Sequence, residues 1–235
     1  MSDESRASLT ALIVGASRGL GLGLVREHLR RGWRVIATVR DDGKGPLHEL
    51  AAQGGGALEI ERVDINVPDQ VAALRQRLGG RTLDLLFVNA GVSNDRGETI
   101  AQVSTEEFTR VMVTNALSPM RVVEAFADLV RPSGTIAVMS SVLGSVGGNT
   151  DGGMEVYRAS KASLNTLMRS FAARRKGDSR TLLCVHPGWV RTSMGGSEAP
   201  LDVETSTRGI ADVIAKHQGK PGLAFLDYKG ETVAW

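Results

Sequence analysis

The sequence has little cysteine and no long apolar run. Cys184 is its single cysteine, which excludes an internal disulfide framework and suits a reducing compartment. No apolar stretch reaches the roughly 18 residues that a membrane span requires. The polar and acidic start, residues 1–6, does not resemble a secretory signal peptide. We therefore expect a cytoplasmic protein without a membrane partner.

An excess of charge of one sign is also missing. The 28 basic residues are nearly balanced by 26 acidic ones, for a net charge of +2, and aromatic residues make up only 4%. The basic run at 174–176 precedes Gly177 and complements the C-terminus of a predicted helix. Because nucleic-acid binding favours a wide basic patch with aromatic side chains, we expect no nucleic-acid partner.

Apolar, β-branched segments alternate with helical patterns along the 235 residues. The segments are 12–14, 35–39, 58–63, 83–88, 135–139 and 182–185. Their nearly continuous apolar character is typical of parallel strands that are buried on both faces. Strands that alternate with helices predict an α/β doubly wound parallel sheet, the Rossmann fold, with helices on both faces. Because no segment has the proline-rich or serine-rich composition of a linker, we expect a single domain over residues 9–235 after a flexible tail over residues 1–8.

Glycines are plentiful, 28 in all, and three of them follow the first predicted strand. This segment reads Gly15-Ala16-Ser17-Arg18-Gly19-Leu20-Gly21 and opens a helix. Backbone N–H groups at a helix N-terminus bind anions, and glycines let a pyrophosphate approach the backbone. A tight turn without a ligand would also use glycine. Its place on the first βα turn of an α/β chain favours dinucleotide binding.

The end of the second predicted strand indicates which dinucleotide is preferred. Folds that bind NAD place an acidic residue there, where it contacts the ribose 2′-hydroxyl. This sequence has Val39 and then Arg40, whose guanidinium suits a 2′-phosphate, with Arg18 as a second cation. Arg40 could instead pair with Asp41 or Asp42 on an exposed turn. The pattern favours NADP(H), and Asp41 leaves NAD(H) possible.

Tyr157 and Lys161 are four residues apart and therefore share one face of a predicted helix. Leu164, Met168 and Phe171 continue that face, which places it against the sheet. An ammonium group close to a phenol favours the phenolate. We therefore expect Lys161 to lower the pKa of Tyr157 and make it a usable general acid or base. The pair alone would also suit a surface tyrosine beside an extended lysine.

Further polar residues stand where predicted strands end, which is where open α/β sheets bind ligands. Ser140 and Ser141 follow one strand, and a hydroxyl there can bond a substrate carbonyl. The Asn-Ala-Gly segment at 89–91 and the Pro-Gly-Trp-Val-Arg-Thr segment at 187–192 follow two others, and Asn115 lies between them. All of these candidates are predicted to border one crevice.

In order and spacing, these segments resemble the short-chain dehydrogenase/reductase family over nearly the whole chain. The matching features are the glycine turn, Asp64, 89–91, Asn115, Ser141, Tyr157 with Lys161, and 187–192. Segments 157–165 and 186–196 and the closing tryptophan resemble the C-factor and sniffer-type carbonyl reductase branch. Val14 departs from the usual threonine, and extra residues at 147–153 leave Ser140 and Ser145 as alternatives to Ser141.

The resemblance implies a role for each matching residue. The catalytic residues would be Tyr157 as proton donor, Ser141 beside the carbonyl, Lys161 at the nicotinamide ribose and Asn115 holding a water. The cofactor-binding residues would be Gly15, Ser17, Arg18, Gly19, Leu20, Arg40, Asp64, Ile65, Asn89, Ala90, Gly91, Tyr157, Lys161, Pro187, Gly188, Val190 and Thr192. In this set Arg40 would contact the 2′-phosphate, Asp64 and Ile65 would flank the adenine, and Val190 and Thr192 would hold the carboxamide.

The substrate side is less determined. Ser141, Leu143, Met154, Trp189 and Met194 would line the pocket with Val92 and Ser93, which suggests a small apolar carbonyl substrate. Met154 and Trp189 could equally be packing residues. Segment 194–202 is either a lid or a surface loop. His186 is interpreted as a strand-end core residue, and because no cluster has metal-ligand spacing we predict no metal.

The resemblance also implies a homodimer or homotetramer, paired through the helices that lead to Asn115 and bear Tyr157. The function hypothesis is an NADPH-dependent oxidoreductase that reduces a ketone or aldehyde reversibly by hydride transfer. The alternative is a dinucleotide-binding signalling or regulatory protein of the C-factor type. The complete set of catalytic residues argues against an inactive enzyme, but it does not decide whether catalysis is the biological role.

Overall fold

The computed structural model describes residues 8–41, 43–53 and 56–235. The strands in these ranges are β1 (Thr10–Val14), β2 (Arg34–Val39), β3 (Leu58–Arg62), β4 (Leu83–Val88), β5 (Val130–Met139), β6 (Thr181–His186) and β7 (Gly222–Asp227). The α-helices are α1 (Gly19–Arg30), α2 (Pro46–Gln53), α3 (Pro68–Arg77), α4 (Thr105–Met112), α5 (Ser118–Phe126), α6 (Glu155–Arg174) and α7 (Val203–His217). Of the predicted tail, residues 1–7 lie outside the described residues, and the single domain over 9–235 stays a prediction.

The seven strands form one sheet in the order β3-β2-β1-β4-β5-β6-β7. Every neighbouring pair is parallel. The chain starts at the centre, moves outward to β3, and returns to β4 beside β1. This reversal opens a crevice at the carboxyl ends of β1 and β4, where doubly wound folds bind their ligands. The predicted Rossmann fold is confirmed.

Two strands differ from the sequence prediction. β7 was not predicted, because its apolar stretch is short and starts after a glycine: Phe225 and Leu226 are buried, but its other four residues are exposed or only partly buried. β5 begins at Val130 rather than Thr135, and its pairing with β4 is irregular between Leu83 and Leu85. The exposed residues 131–133 inside it hid the first half of the strand from a pattern based on burial.

Helices cover both faces of the sheet. One core layer joins α3, α5 and α6 to the sheet through side chains such as Leu74, Phe126 and Met168. The other joins α1, α2 and α7 through side chains such as Leu24 and Ile210. Consecutive strand residues alternate between the two layers, as a pleated strand buried on both faces requires. The sheet is thereby fixed from both sides, and its strand ends are left to carry the site.

A π-helical turn, Val113–Leu117, joins α4 to α5. Upstream, the Ser104 hydroxyl caps α4 by accepting a hydrogen bond from the Glu107 N–H, 3.1 Å away. Asn115 lies within the wider turn and is fully buried. Such turns are frequent at functional sites. The helical periodicity of the sequence does not distinguish this turn from an ordinary α-helical one.

Candidate active site

A cavity of about 900 Å³ opens at the carboxyl ends of the strands. Its lining includes every residue that the sequence predicted to bind cofactor and all five predicted substrate-pocket residues. Asn115 is the predicted site residue that does not line it, although its neighbour Thr114 does. Ser93 also lies outside the lining, whereas Val92 contributes to it. The predicted crevice therefore exists and brings the candidates together.

Two glycines of the first turn, Gly15 and Gly21, have different roles. Gly15 has a φ of +87°, a backbone conformation that favours glycine, and its carbonyl accepts a hydrogen bond of 2.7 Å from Asn89 Nδ2. A Cβ on Gly21 would lie 2.1 Å from the Gly15 oxygen, so α1 can pack this close to the turn only with glycine there. Arg18, the residue before α1, makes no side-chain cap, and the first helical turn contains no acidic residue. Its free N–H groups therefore remain available to an anion.

The end of the cavity beside β2 is basic. Arg18, Arg40 and Lys44 all line it. Within the described ranges no ion pair joins Arg40 to Asp41, and Asp42, the other alternative partner, lies outside them. Sequence reasoning missed Lys44, whose only signal was a cation between two loop glycines. Three cations around one end of a cavity suit a phosphate group.

The Asn115 side chain connects two parts of the site. Its Nδ2 donates to the carbonyl of Val92 at 2.8 Å and to the hydroxyl of Ser160 at 2.9 Å, and its Oδ1 accepts from the Val92 N–H at 2.8 Å. A Cβ placed on Gly91 would lie 3.3 Å from Oδ1 and 3.5 Å from Lys161 Nζ. The side chain thus fastens the segment after β4 to α6, and Oδ1 retains one acceptor position.

The three candidate serines have different partners. The Ser140 hydroxyl donates to Asn165 Oδ1 at 2.7 Å, inside the core. The Ser145 hydroxyl lies near the Trp235 carbonyl at 3.4 Å and accepts from the Gly148 N–H. The Ser141 hydroxyl accepts from the Leu143 N–H at 3.1 Å and is near enough to Tyr157 to lower the pKa of its phenol. This arrangement favours Ser141 as the hydroxyl that faces a substrate.

Tyr157 and Lys161 lie on one face of α6, and the Lys161 Nζ is 5.7 Å from the centre of the tyrosine ring. Lys161 is almost fully buried, and its Nζ donates to the carbonyl of Met139 at 2.8 Å. Burial lowers the pKa of Lys161 to about 8. It also raises the pKa of the neighbouring thiol, Cys184, to about 12, so this cysteine is a neutral thiol.

The prediction that Lys161 lowers the pKa of Tyr157 is wrong. Burial raises the pKa of Tyr157 to about 12, and the opposing influences are the hydrogen bond from Ser141 and the charge of Arg96. Lys161 is not among these influences, and its Nζ donates to the Met139 carbonyl instead. Tyr157 is accordingly a protonated phenol at neutral pH, as a proton donor must be.

The other end of the cavity is largely apolar. Leu143, Met154, Trp189 and Met194 line it, as predicted. Met154 has a φ of 49°, a left-handed conformation that is uncommon for residues other than glycine and that costs about 1 kcal/mol or more. The Trp189 Nε1 donates to the carbonyl of Gly195 at 2.8 Å, while half of its side chain stays exposed. Packing alone therefore does not account for Trp189.

Segment 194–202 is fastened at its far end. Leu201 forms a bridge with Val190, and the Arg191 guanidinium donates to the carbonyls of Ala199 and Pro200 at 2.9 Å. Whether this segment closes over a substrate stays a prediction. Arg96, on the loop after β4, donates to the Met194 carbonyl and lines the same end of the cavity. Sequence reasoning missed Arg96, because nothing in its local sequence indicates where the side chain points.

His186 is the last residue of β6 and lines the cavity. Its Nδ1 is buried without a hydrogen-bond partner among the described residues. Burial lowers the pKa of His186 to about 4, and the charge of Asp227 opposes this only in part. The imidazole is neutral at physiological pH, which agrees with its interpretation as a strand-end residue.

The described residues contain neither a candidate metal centre nor a helix suited to a membrane. Across 8–41, 43–53 and 56–235, no group of three or more His, Cys, Asp or Glu side chains could hold a metal ion. In the same ranges no helix is both long and apolar enough to span a bilayer.

A doubly wound sheet, an uncapped glycine turn and a Tyr-Lys pair around one crevice are features of a dinucleotide-dependent oxidoreductase. The short chain dehydrogenase model matches residues 9–201. The chain therefore belongs to the short-chain dehydrogenase family. This confirms the resemblance on which the sequence prediction rested.

Comparison with individual proteins supports the predicted branch. A crystal structure described as a short-chain dehydrogenase/reductase from Burkholderia multivorans with bound NADP is 51% identical, with a TM-score of 0.95 over 97% of this chain and 100% of that one. The carbonyl reductase Sniffer of D. melanogaster is 33% identical, with a TM-score of 0.85 and the same coverage. C-signal from Myxococcus xanthus is 37% identical over 159 residues, 65% of this chain and 93% of that protein.

Proposed function

We propose that this short-chain dehydrogenase is an NADPH-dependent carbonyl reductase that reduces a ketone or aldehyde and, in reverse, oxidises the alcohol. The observation that carries the proposal is the position of Tyr157. It lies in one continuous cavity with the glycine turn, near Ser141 and with its ring centre 5.7 Å from Lys161 Nζ. The similar proteins from Burkholderia multivorans, with bound NADP, and D. melanogaster, a carbonyl reductase, support it.

The cavity fits NADPH at both of its charged parts. The free N–H groups at the start of α1 suit the diphosphate, and Arg18, Arg40 and Lys44 suit the 2′-phosphate. Asp64 and Ile65 would hold the adenine, and Val190 and Thr192 the carboxamide. Bound in this way, NADPH supplies the hydride for the carbonyl carbon.

The protein's own groups act on the carbonyl oxygen. Ser141 and Tyr157 both offer hydroxyl donors to that oxygen, which becomes more basic as the carbon is reduced. Tyr157 then gives up its proton to form the alcohol. Lys161 would hold the ribose hydroxyls of the nicotinamide nucleotide. Asn115 would hold a water through which Tyr157 regains its proton.

The proposal is tested by following NADPH and NADH oxidation with a panel of ketones, aldehydes and quinones. We expect turnover with at least one carbonyl class and a clear preference for NADPH. Carbonyl reduction would be contradicted if protein that binds NADPH oxidised neither nucleotide with any of these carbonyl classes. A preference for NADH would contradict the assignment of the basic end of the cavity.

The cofactor preference is expected to depend on Arg40. Loss of one charge-assisted contact to a phosphate costs about 1.5–3 kcal/mol, so Arg40→Leu should lower the NADPH/NADH ratio of kcat/KM by about 10- to 100-fold. Steady-state kinetics with each nucleotide measure this ratio. Arg26→Leu removes the same charge from an exposed position on α1 outside the cavity and should leave the ratio as it is. An unchanged ratio in Arg40→Leu would assign the 2′-phosphate to other residues.

A second candidate, a dinucleotide-binding signalling protein, is favoured by the similarity to C-signal. The two candidates share the cofactor site and differ in whether proton transfer by Tyr157 is needed.

The homodimer or homotetramer remains part of our proposal. Its support is the exposure of apolar side chains on the predicted pairing helices and the turn between them, namely Phe108, Leu117 and Leu167.

A further inference from the structure

Arg96 is a cation at the apolar end of the cavity that the proposed mechanism does not use. It lies on the loop between β4 and α4, and its side chain reaches the cavity wall formed by Met194. There its Nη2 donates to the Met194 carbonyl. The positive charge of Arg96 contrasts with the apolar side chains that line this end of the cavity.

The remaining donors of Arg96 have no partner among the described residues. A guanidinium carries five N–H donors in a planar fork, and only Nη2 is engaged. The carboxylates nearest in sequence are bonded within their own loop: Asp95 Oδ1 accepts from the Gly97 N–H, and Glu98 Oε2 accepts from Asn94. Arg96, an exposed residue that also lines the cavity, therefore forms no ion pair within the described residues and can bind an oxyanion from the cavity.

The charge of Arg96 is not balanced by the cavity wall. Asp41 and Asp64 are the carboxylates among the described lining residues, and they follow β2 and β3. Those strands occupy the opposite side of the sheet from β5 and β6, which carry the Ser141 and Trp189 segments. Arg96 is also near enough to Tyr157 for its charge to act on the phenol. The reacting end of the cavity is thus positively charged within an apolar wall.

We propose that Arg96 binds a carboxylate of the substrate, so that the substrate is a carbonyl compound with an apolar body and an acidic group. The proposal rests on the proposed carbonyl reduction and narrows its substrate class. The apolar body would pack against Leu143, Met154 and Trp189, while the carboxylate takes the unused edge of the guanidinium fork. A planar fork matches a carboxylate through two parallel hydrogen bonds.

Rigid aromatic aldehydes in acid and ester form test this directly. The probes are 3- and 4-carboxybenzaldehyde and the methyl esters of both, reduced with NADPH by the wild type and by Arg96→Met. We expect the wild type to prefer the acid of at least one isomer by tenfold or more in kcat/KM. In Arg96→Met this acid/ester ratio should fall at least tenfold. The ratio cancels any general effect of the substitution on Tyr157, since both probes share that step.

A binding measurement separates this proposal from the proposed function. The NADPH-loaded proteins are titrated calorimetrically with the corresponding 3- and 4-(hydroxymethyl)benzoates and their methyl esters, since a reduced cofactor and an alcohol cannot react with each other. Tighter binding of an acid that is lost in Arg96→Met would support the carboxylate site even if no aldehyde were reduced. Equal binding of acid and ester would overturn the carboxylate site even if reduction is fast. The same holds for an acid preference that survives Arg96→Met, or for one that is lost in the control variant Arg26→Met.

Discussion

Tyr157→Phe is expected to lower kcat/KM for carbonyl reduction about 10³-fold while the protein still folds and binds NADPH. The hydroxyl is both the proton donor and, with Ser141, a hydrogen-bond donor to the oxygen that gains charge. With a pKa raised to about 12, it is protonated throughout the neutral range and therefore available as an acid. Steady-state kinetics measure the loss, and quenching of protein fluorescence measures NADPH binding.

The other tyrosine of the chain is the matched control. Tyr228 follows β7 and does not line the cavity. Tyr228→Phe should retain kcat/KM within about twofold. If Tyr157→Phe were equally active, another group would have to supply the proton, and the proposed mechanism would be wrong. If Tyr157→Phe were inactive as an enzyme but restored the phenotype of a strain lacking the protein, this result would favour the signalling function.

Lys161→Met is expected to change the pH dependence of stability in the cofactor-free protein. The pKa of Lys161 is about 8 in the fold, against an ordinary value of 10.5. Between these values the unfolded chain holds a proton that the folded protein has released, so this group makes the folded state more stable as pH rises. The advantage in stability of Lys161→Met over the wild type should therefore shrink by about 2 kcal/mol between pH 8 and pH 10.

The comparison between the two proteins isolates Lys161 from its neighbours. Burial raises the pKa values of Cys184 and Tyr157, so both make the folded state less stable at high pH in the wild type and in the variant alike. Urea unfolding at pH 7, 8, 9 and 10 gives the free energies. Lys44→Met, at an exposed loop position, is the control and should follow the wild type. Stability curves of Lys161→Met and wild type that remain parallel would mean that Lys161 is not held in a desolvated site.

Local patterns were enough to predict the parts of the site that lie on strand ends and helix starts. The Tyr157–Lys161 spacing places both side chains on one helix face regardless of the rest of the fold. The predicted direction of the pKa shift of Tyr157 was wrong because the shift depends on burial, a tertiary property that residue spacing does not reveal. Lys44 and Arg96 were missed because a loop cation has no periodicity, and its direction is set by contacts with distant segments. β7 was missed because only two of its six residues, Phe225 and Leu226, are buried, and so short an apolar stretch does not mark a strand.

The π-helical turn makes the length of its helix as important as its sequence. An α-helical turn holds 3.6 residues, and the wider turn at Val113–Leu117 accommodates more. Removal of one residue would rewind it and rotate α5 by about 100° relative to α4. Either Asn115 would leave Val92 and Ser160, or Phe126 would leave the core. In this part of the chain insertions and deletions should therefore be far less tolerated than substitutions.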